Sequence, residues 1–143
     1  MCYYFVMKIV ICCSMSTAKK VMEVRSKLIA MGHHVIIPKN IEKSADGSLD
    51  MEKPHESTQN KIQGDLIRGY YNEIKNADAV LVVNEPKNNI ANYIGGTTLI
   101  ELAFAHILCK DSYVLNSLPE VSYKDEIIAM QPIILNGNLG KIK

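Results

Sequence analysis

The stretch Asp78-Ala79-Val80-Leu81-Val82-Val83, a polar segment from Asn84 to Thr98, and then Leu99-Ile100-Glu101-Leu102-Ala103-Phe104-Ala105-His106 decide how this chain folds. An unbroken apolar run with β-branched residues specifies a strand covered on both faces, as parallel sheets are. The polar segment carries Gly95-Gly96-Thr97-Thr98, and the apolar helix after it opens on a single charge, Glu101. Strand, glycine-bearing loop and helix together make the unit that opens a crevice at the carboxyl ends of strands, where ligands bind in open α/β sheets. A lone carboxylate at that mouth points to chemistry. The bland alternative is a glutamate that merely complements the helix dipole, worth a few tenths to about 1 kcal/mol.

The same alternation recurs in both directions. Residues 7–13 read as a buried first strand. Residues 17–31 read as a helix with Ala18, Val21, Met22, Val24, Leu28 and Ile29 on one face, capped by Ser16 or Thr17 and closed by Gly32. A strand over residues 34–37 stops at Pro38, and residues 40–54 read as a polar loop. A long helix is expected over residues 55–76, where Ile62, Leu66, Ile67, Tyr70, Tyr71 and Ile74 fall at helical spacing. Strands over 112–115 and 132–135 flank a short helix near 123–130. The expected fold is a single α/β domain over residues 1–143, flavodoxin-like or Rossmann-like: a doubly wound, five-stranded parallel sheet with helices on both faces.

Composition narrows the partners. Sixteen basic against fifteen acidic residues leave a net charge of +1 over 143 residues, so no global field favours a nucleic acid polymer or an anionic membrane. The longest apolar runs fall short of a membrane span. The apolar start lacks a basic flank and is interrupted by Lys8, unlike a signal peptide. Cys2, Cys12, Cys13 and Cys109 form neither a Cys-x-x-Cys pair nor a metal-ligand spacing. They are expected as free thiols in the cytoplasm. His33 and His34 at a turn read as ordinary packing, and His55 and His106 lack partners at metal spacing. Neither a metal nor an organic cofactor is expected.

From Asn76-Ala77-Asp78 to Lys110 the chain resembles the nucleoside 2-deoxyribosyltransferase superfamily. An Ala-Asp step leads into an apolar strand, a polar loop with glycine, and a glutamate that opens the next helix. Glu101-Leu102-Ala103-Phe104-Ala105 with Lys110 keeps the family's order and spacing. The resemblance implies cleavage or transfer of the N-glycosidic bond of a deoxynucleoside or its 5′-monophosphate. Glu101 would be the nucleophile at the anomeric carbon, in the manner of a retaining glycosidase. It implies roles for Tyr70 or Asp65 near the leaving base. The polar loop, with Asn88, Asn89, Asn92, Gly95, Gly96, Thr97 and Thr98, would hold the substrate, as would the turn Cys13-Ser14-Met15 after the first strand. The chain departs from the family where Thr97 and Ala103 replace glycines and where the loop acid has no counterpart.

Two other readings compete. The missing loop acid suits a nucleotide-binding module of the same fold without turnover. Lys8 to Thr17, with Cys13 before Ser14-Met15-Ser16-Thr17, also resembles the phosphocysteine loop of sugar phosphotransferase IIB proteins. A homodimer or higher homo-oligomer is expected from the apolar breadth of the helix over residues 55–76. The loop over residues 84–98 is expected to be a mobile lid.

Overall fold

The computed structural model describes residues 5–47 and 54–143. Among these, β1 (Lys8–Cys13), β2 (His34–Ile36), β3 (Ala79–Val83), β4 (Asp111–Val114) and β5 (Ile133–Ile134) form a five-stranded sheet in the order β2-β1-β3-β4-β5. Every pairing is parallel, and the order is that of the flavodoxin-like α/β fold. The apolar runs Ile9–Cys12 and Ala79–Val83 take two of the three inner positions and are buried throughout. The edge strands β2 and β5 are short and partly exposed, which limits pairing with other chains.

Alternation along the strands sorts the core into two layers. Ile9, Ile11 and Leu81 pack with Val21 and Leu28 of α1 (Ala18–Ala30), with Ile41 of α2 (Ile41–Asp46), and with Leu139 and Ile142 after β5. On the other face, Val10, Cys12, Val80 and Val82 pack with Ile74 of α4 (Leu66–Lys75), Leu102 and Ala105 of α5 (Gly96–Ile107), and Ile127 of α6 (Lys124–Ala129). At the amino ends of the strands, Asp78 accepts the Lys8 amide at 2.8 Å. The buried His33 accepts the Met7 amide through Nδ1 at 3.1 Å, so its role is structural. No described helix is long and apolar enough to cross a membrane.

Four local expectations are corrected. The helix over residues 55–76 is two helices, α3 (Pro54–Gln63) and α4, broken where Asp65 adopts φ +48. A single left-handed residue ends a helix without disturbing its apolar period, so the pattern hid the break. Within residues 40–54, α2 forms between the left-handed Asn40 and Gly47, held by the fully buried Ile41; residues 48–53 lie outside the described residues. Thr17 does not cap α1. Its hydroxyl donates to the Ser14 carbonyl at 2.6 Å and closes a 3-10 turn over Met15–Thr17. Finally, α5 begins at Gly96, so Glu101 is its sixth residue and lies in the second turn.

The loop between β3 and α5, expected as a lid, carries an ordered set of hydrogen bonds. Lys87 and Ile90 exchange both backbone hydrogen bonds, at 3.0 and 2.9 Å, around Asn88 (φ +54) and Asn89 (φ +60). Positive φ at both central residues is the type I′ turn that asparagine favours. The anchor is Asn84, fully buried at the end of β3. Its Nδ2 donates to the carbonyls of Asn92, Asn116 and Ser117 at 3.1–3.3 Å, and its Oδ1 accepts the Asn116 amide at 2.9 Å. Asn116 Nδ2 returns a bond to the Asn84 carbonyl at 2.9 Å. Truncating Asn84 strands these buried groups. Asn84→Ala is expected to lower unfolding stability by about 2–4 kcal/mol in urea titration; a change below about 0.5 kcal/mol would show that water replaces the side chain without cost.

Candidate active site

In this strand order the chain turns to opposite faces after β1 and β3, and their carboxyl ends flank the crevice that such a reversal opens. Cys13, Ser14 and Met15 leave β1 there, and Asn84 leaves β3. Because α5 runs back antiparallel to β3, its first two turns stand over this edge. The buried residues of α5 are Thr98, Glu101, Leu102 and Ala105, the one-sided spacing of a helix packed on a sheet. Leu102 and Ala105 lie against the strands. Thr98 and Glu101 occupy the same stripe nearer the mouth.

Glu101 is 7% exposed and Thr98 5%. Neither side chain has a hydrogen-bond partner among the described residues. There, the only buried side-chain polar atom lacking both a partner and solvent is Arg25 Nε. The Glu101 and Thr98 oxygens therefore reach open space. Burial pushes the Glu101 carboxyl from its ordinary 4.5 up to about 8, with Lys61 of α3 pulling the other way. The charge of Glu101 acts on both Cys12 and Cys13. Those two thiols pack on opposite faces of the sheet, which places the carboxyl at the end of β1.

The other expected residues divide. The Tyr70 hydroxyl donates to the Ile11 carbonyl. Burial, then the neighbouring Cys12 and Glu101, push its pKa up. It remains a neutral phenol beside Glu101, tied to β1. Asp65 is not brought to the site: it is exposed at the α3–α4 break and paired with Arg68 at 2.7 Å. Asn88 serves the type I′ turn, and Asn92, at φ +56, donates to the Ser117 hydroxyl at 3.0 Å. Gly95 is the N-cap of α5, with no side-chain cap, and Gly96 and Thr97 are exposed in the first turn. Their amides are available to an anion. Ser14 accepts from Lys87 Nζ at 2.8 Å and lies 3.1 Å from the Ser16 hydroxyl, so a lysine from the β3–α5 loop bridges to the turn after β1. The sequence had suggested neither Lys61 nor Lys87, because each reaches the site only through the packing of another element.

Cys13 does not support the phosphocysteine reading. Burial pushes its thiol up to about 12, with Thr17 pulling the other way and the nearby Glu101 adding to the rise; an attacking cysteine needs the thiolate. A surface depression of about 650 Å³ borders Met15, Ser16, Lys19, Lys20, Glu85 and Pro86. It is bordered by α1 and by the segments after β1 and β3, Glu101 is not in its lining, and Glu23 and Glu85 offset its lysines. The buried carboxyl, not this depression, marks the site. Among the described residues no group of three His, Cys, Asp or Glu side chains could hold a metal ion.

No protein-family model matches this chain, and no curated protein or solved structure does either.

The raised Glu101 pKa is also a stability statement. Below pH 4.5 both folded and unfolded chains hold the proton. Between 4.5 and about 8 the folded chain holds it more tightly, so stability falls as pH rises across that window and levels off above it. The loss is on the order of 3–5 kcal/mol. Glu101→Gln should remove this fall, so that wild type and variant diverge in urea unfolding from pH 5 to pH 9. Parallel curves would mean that the carboxyl is not desolvated.

Proposed function

We propose that this protein cleaves or transfers the N-glycosidic bond of a deoxynucleoside or its 5′-monophosphate, with Glu101 as the nucleophile and without metal or organic cofactor. The observation that carries this reading is the buried, desolvated Glu101 carboxyl, without a hydrogen-bond partner, near the carboxyl end of β1. The step balances. A Glu101 oxygen forms a bond to C1′ from the face opposite the base. The electron pair of the C–N bond leaves with the base, which takes a proton from water. Water, or a second base, then attacks C1′ and releases the carboxylate. Positive charge developing on the sugar favours the ionised form of Glu101. The uncapped first turn of α5 and the Lys87–Ser14 bridge suit a 5′-phosphate.

One observation favours a second reading, a nucleotide-binding module without turnover. Asp65, the acid expected to assist, is paired elsewhere. Base release from a panel of deoxynucleosides and monophosphates separates the two. Under the catalytic reading kcat/KM rises with pH and levels off above about pH 8, the pKa of the free site. Glu101→Gln lowers turnover by at least about 10³-fold while ligand still raises the melting temperature. Thermal stabilisation without base release from wild type supports the binding module. A rate that falls as pH rises through 8 would instead make Glu101 a general acid.

The proposal includes self-association. Tyr70 and Tyr71 are half-buried in their own core, and Ile74 is fully buried, so the expected aromatic surface is absent. Ile62, Leu66 and Ile67 are 67%, 39% and 45% exposed at the α3–α4 break. Light scattering at micromolar concentration should give at least twice the monomer mass, and Ile67→Lys should lower it; a monomeric wild type would end this part of the proposal.

A further inference from the structure

Thr98 is as unusual as Glu101. A threonine in a helix ordinarily points to solvent or returns its hydroxyl to the carbonyl one turn back. Thr98 is 5% exposed, and its hydroxyl makes no such bond among the described residues. Its oxygen nonetheless reaches open space, since it is not among the atoms sealed from both partner and solvent. It precedes Glu101 by three residues on the buried stripe of α5, which sets the two Cβ atoms about 5–6 Å apart. A hydroxyl that has no internal partner and reaches open space is free to bond a ligand.

The stereochemistry of the proposed reaction says which ligand atom that is. Glu101 must approach C1′ from the face opposite the base. On a β-nucleoside the base and the 5′ arm share one face of the sugar, and the 3′-hydroxyl projects from the other. A group beside Glu101 on the same helix stripe is therefore placed toward the face that carries the 3′-hydroxyl, opposite the base. We infer that the Thr98 hydroxyl hydrogen-bonds the 3′-hydroxyl of the sugar and makes the protein selective for substrates that carry it. The inference rests on the N-glycosidic reading of Glu101.

The test compares wild type, Thr98→Ser and Thr98→Val in base release from the four 2′-deoxynucleoside 5′-monophosphates and from their 2′,3′-dideoxy counterparts. Valine keeps the shape and removes the hydroxyl; serine keeps the hydroxyl. Thr98→Val is expected to lower kcat/KM roughly 5- to 50-fold on the 3′-hydroxylated substrate and less than about 2-fold on the dideoxy analogue. Thr98→Ser should stay within about 3-fold of wild type on both, because a site built for a hydroxyl is read through that one bond. Equal losses on both substrates, or no loss on either, would overturn the assignment while leaving Glu101 as nucleophile. A wild type that releases base from none of the eight, nor from the four unphosphorylated 2′-deoxynucleosides, overturns the proposed function and this assignment together.

Discussion

The pairing of β1 with β3, in register from Ile9 opposite Ala79 to Cys13 opposite Val83, is what everything else here hangs on. Two apolar strands buried on both faces have to be covered from both sides, and the chain supplies helices to each. Because α1 follows β1 on one face and α5 follows β3 on the other, their loops part at the carboxyl edge. That edge is then lined by what each strand carries past its end: Cys13 and Ser14 from β1, Asn84 from β3, and the first two turns of α5 above them. Asn84 ties the far side of this edge to β4 through Asn116.

Desolvation, not the helix dipole, governs the carboxyl placed there. The dipole acts within the first turn and contributes at most about 1 kcal/mol at an exposed end. Glu101 is the sixth residue of α5, beyond that reach, and burial dominates its ionisation. An ionised carboxylate in this position is held against its own solvation preference. Such a group gains most when positive charge develops close by, as it does on a sugar losing its base. Lys61 of α3 acts in the same direction before substrate arrives. Thr98, one turn nearer the mouth, is in a matching condition: a polar group buried with nothing inside the protein to satisfy it.

Much of this could be read from the residues, and the limits have physical causes. The strands and their parallel arrangement follow from short apolar runs separated by periodic helices, and the structure has that architecture. The placement of Glu101 followed from the strand, loop and helix around it. Asp65 was misplaced because one left-handed residue divides a helix without altering its apolar spacing. Asn88 and Asn92 looked like ligand contacts, and their positive φ values give them a backbone role that asparagine does not advertise in a polar run. The Asn84–Asn116 clamp and the Lys87–Ser14 bridge join residues far apart in the chain, and no local pattern announces such bonds. The length of the loop over residues 84–98 suggested a lid, and its bonds to Ser14, Asn116 and Ser117 are long-range contacts that length does not reveal.

The central claim is that Glu101 bonds covalently to the sugar, and intact-mass spectrometry tests it most directly. Wild-type protein would be mixed with a deoxynucleoside 5′-monophosphate, quenched in acid during turnover, and digested for peptide mapping. The account predicts a deoxyribosyl phosphate adduct on the peptide containing Glu101, absent when Glu101→Gln is treated in the same way. Undiminished base release by the Glu101→Gln protein, with no adduct on either protein, would contradict it.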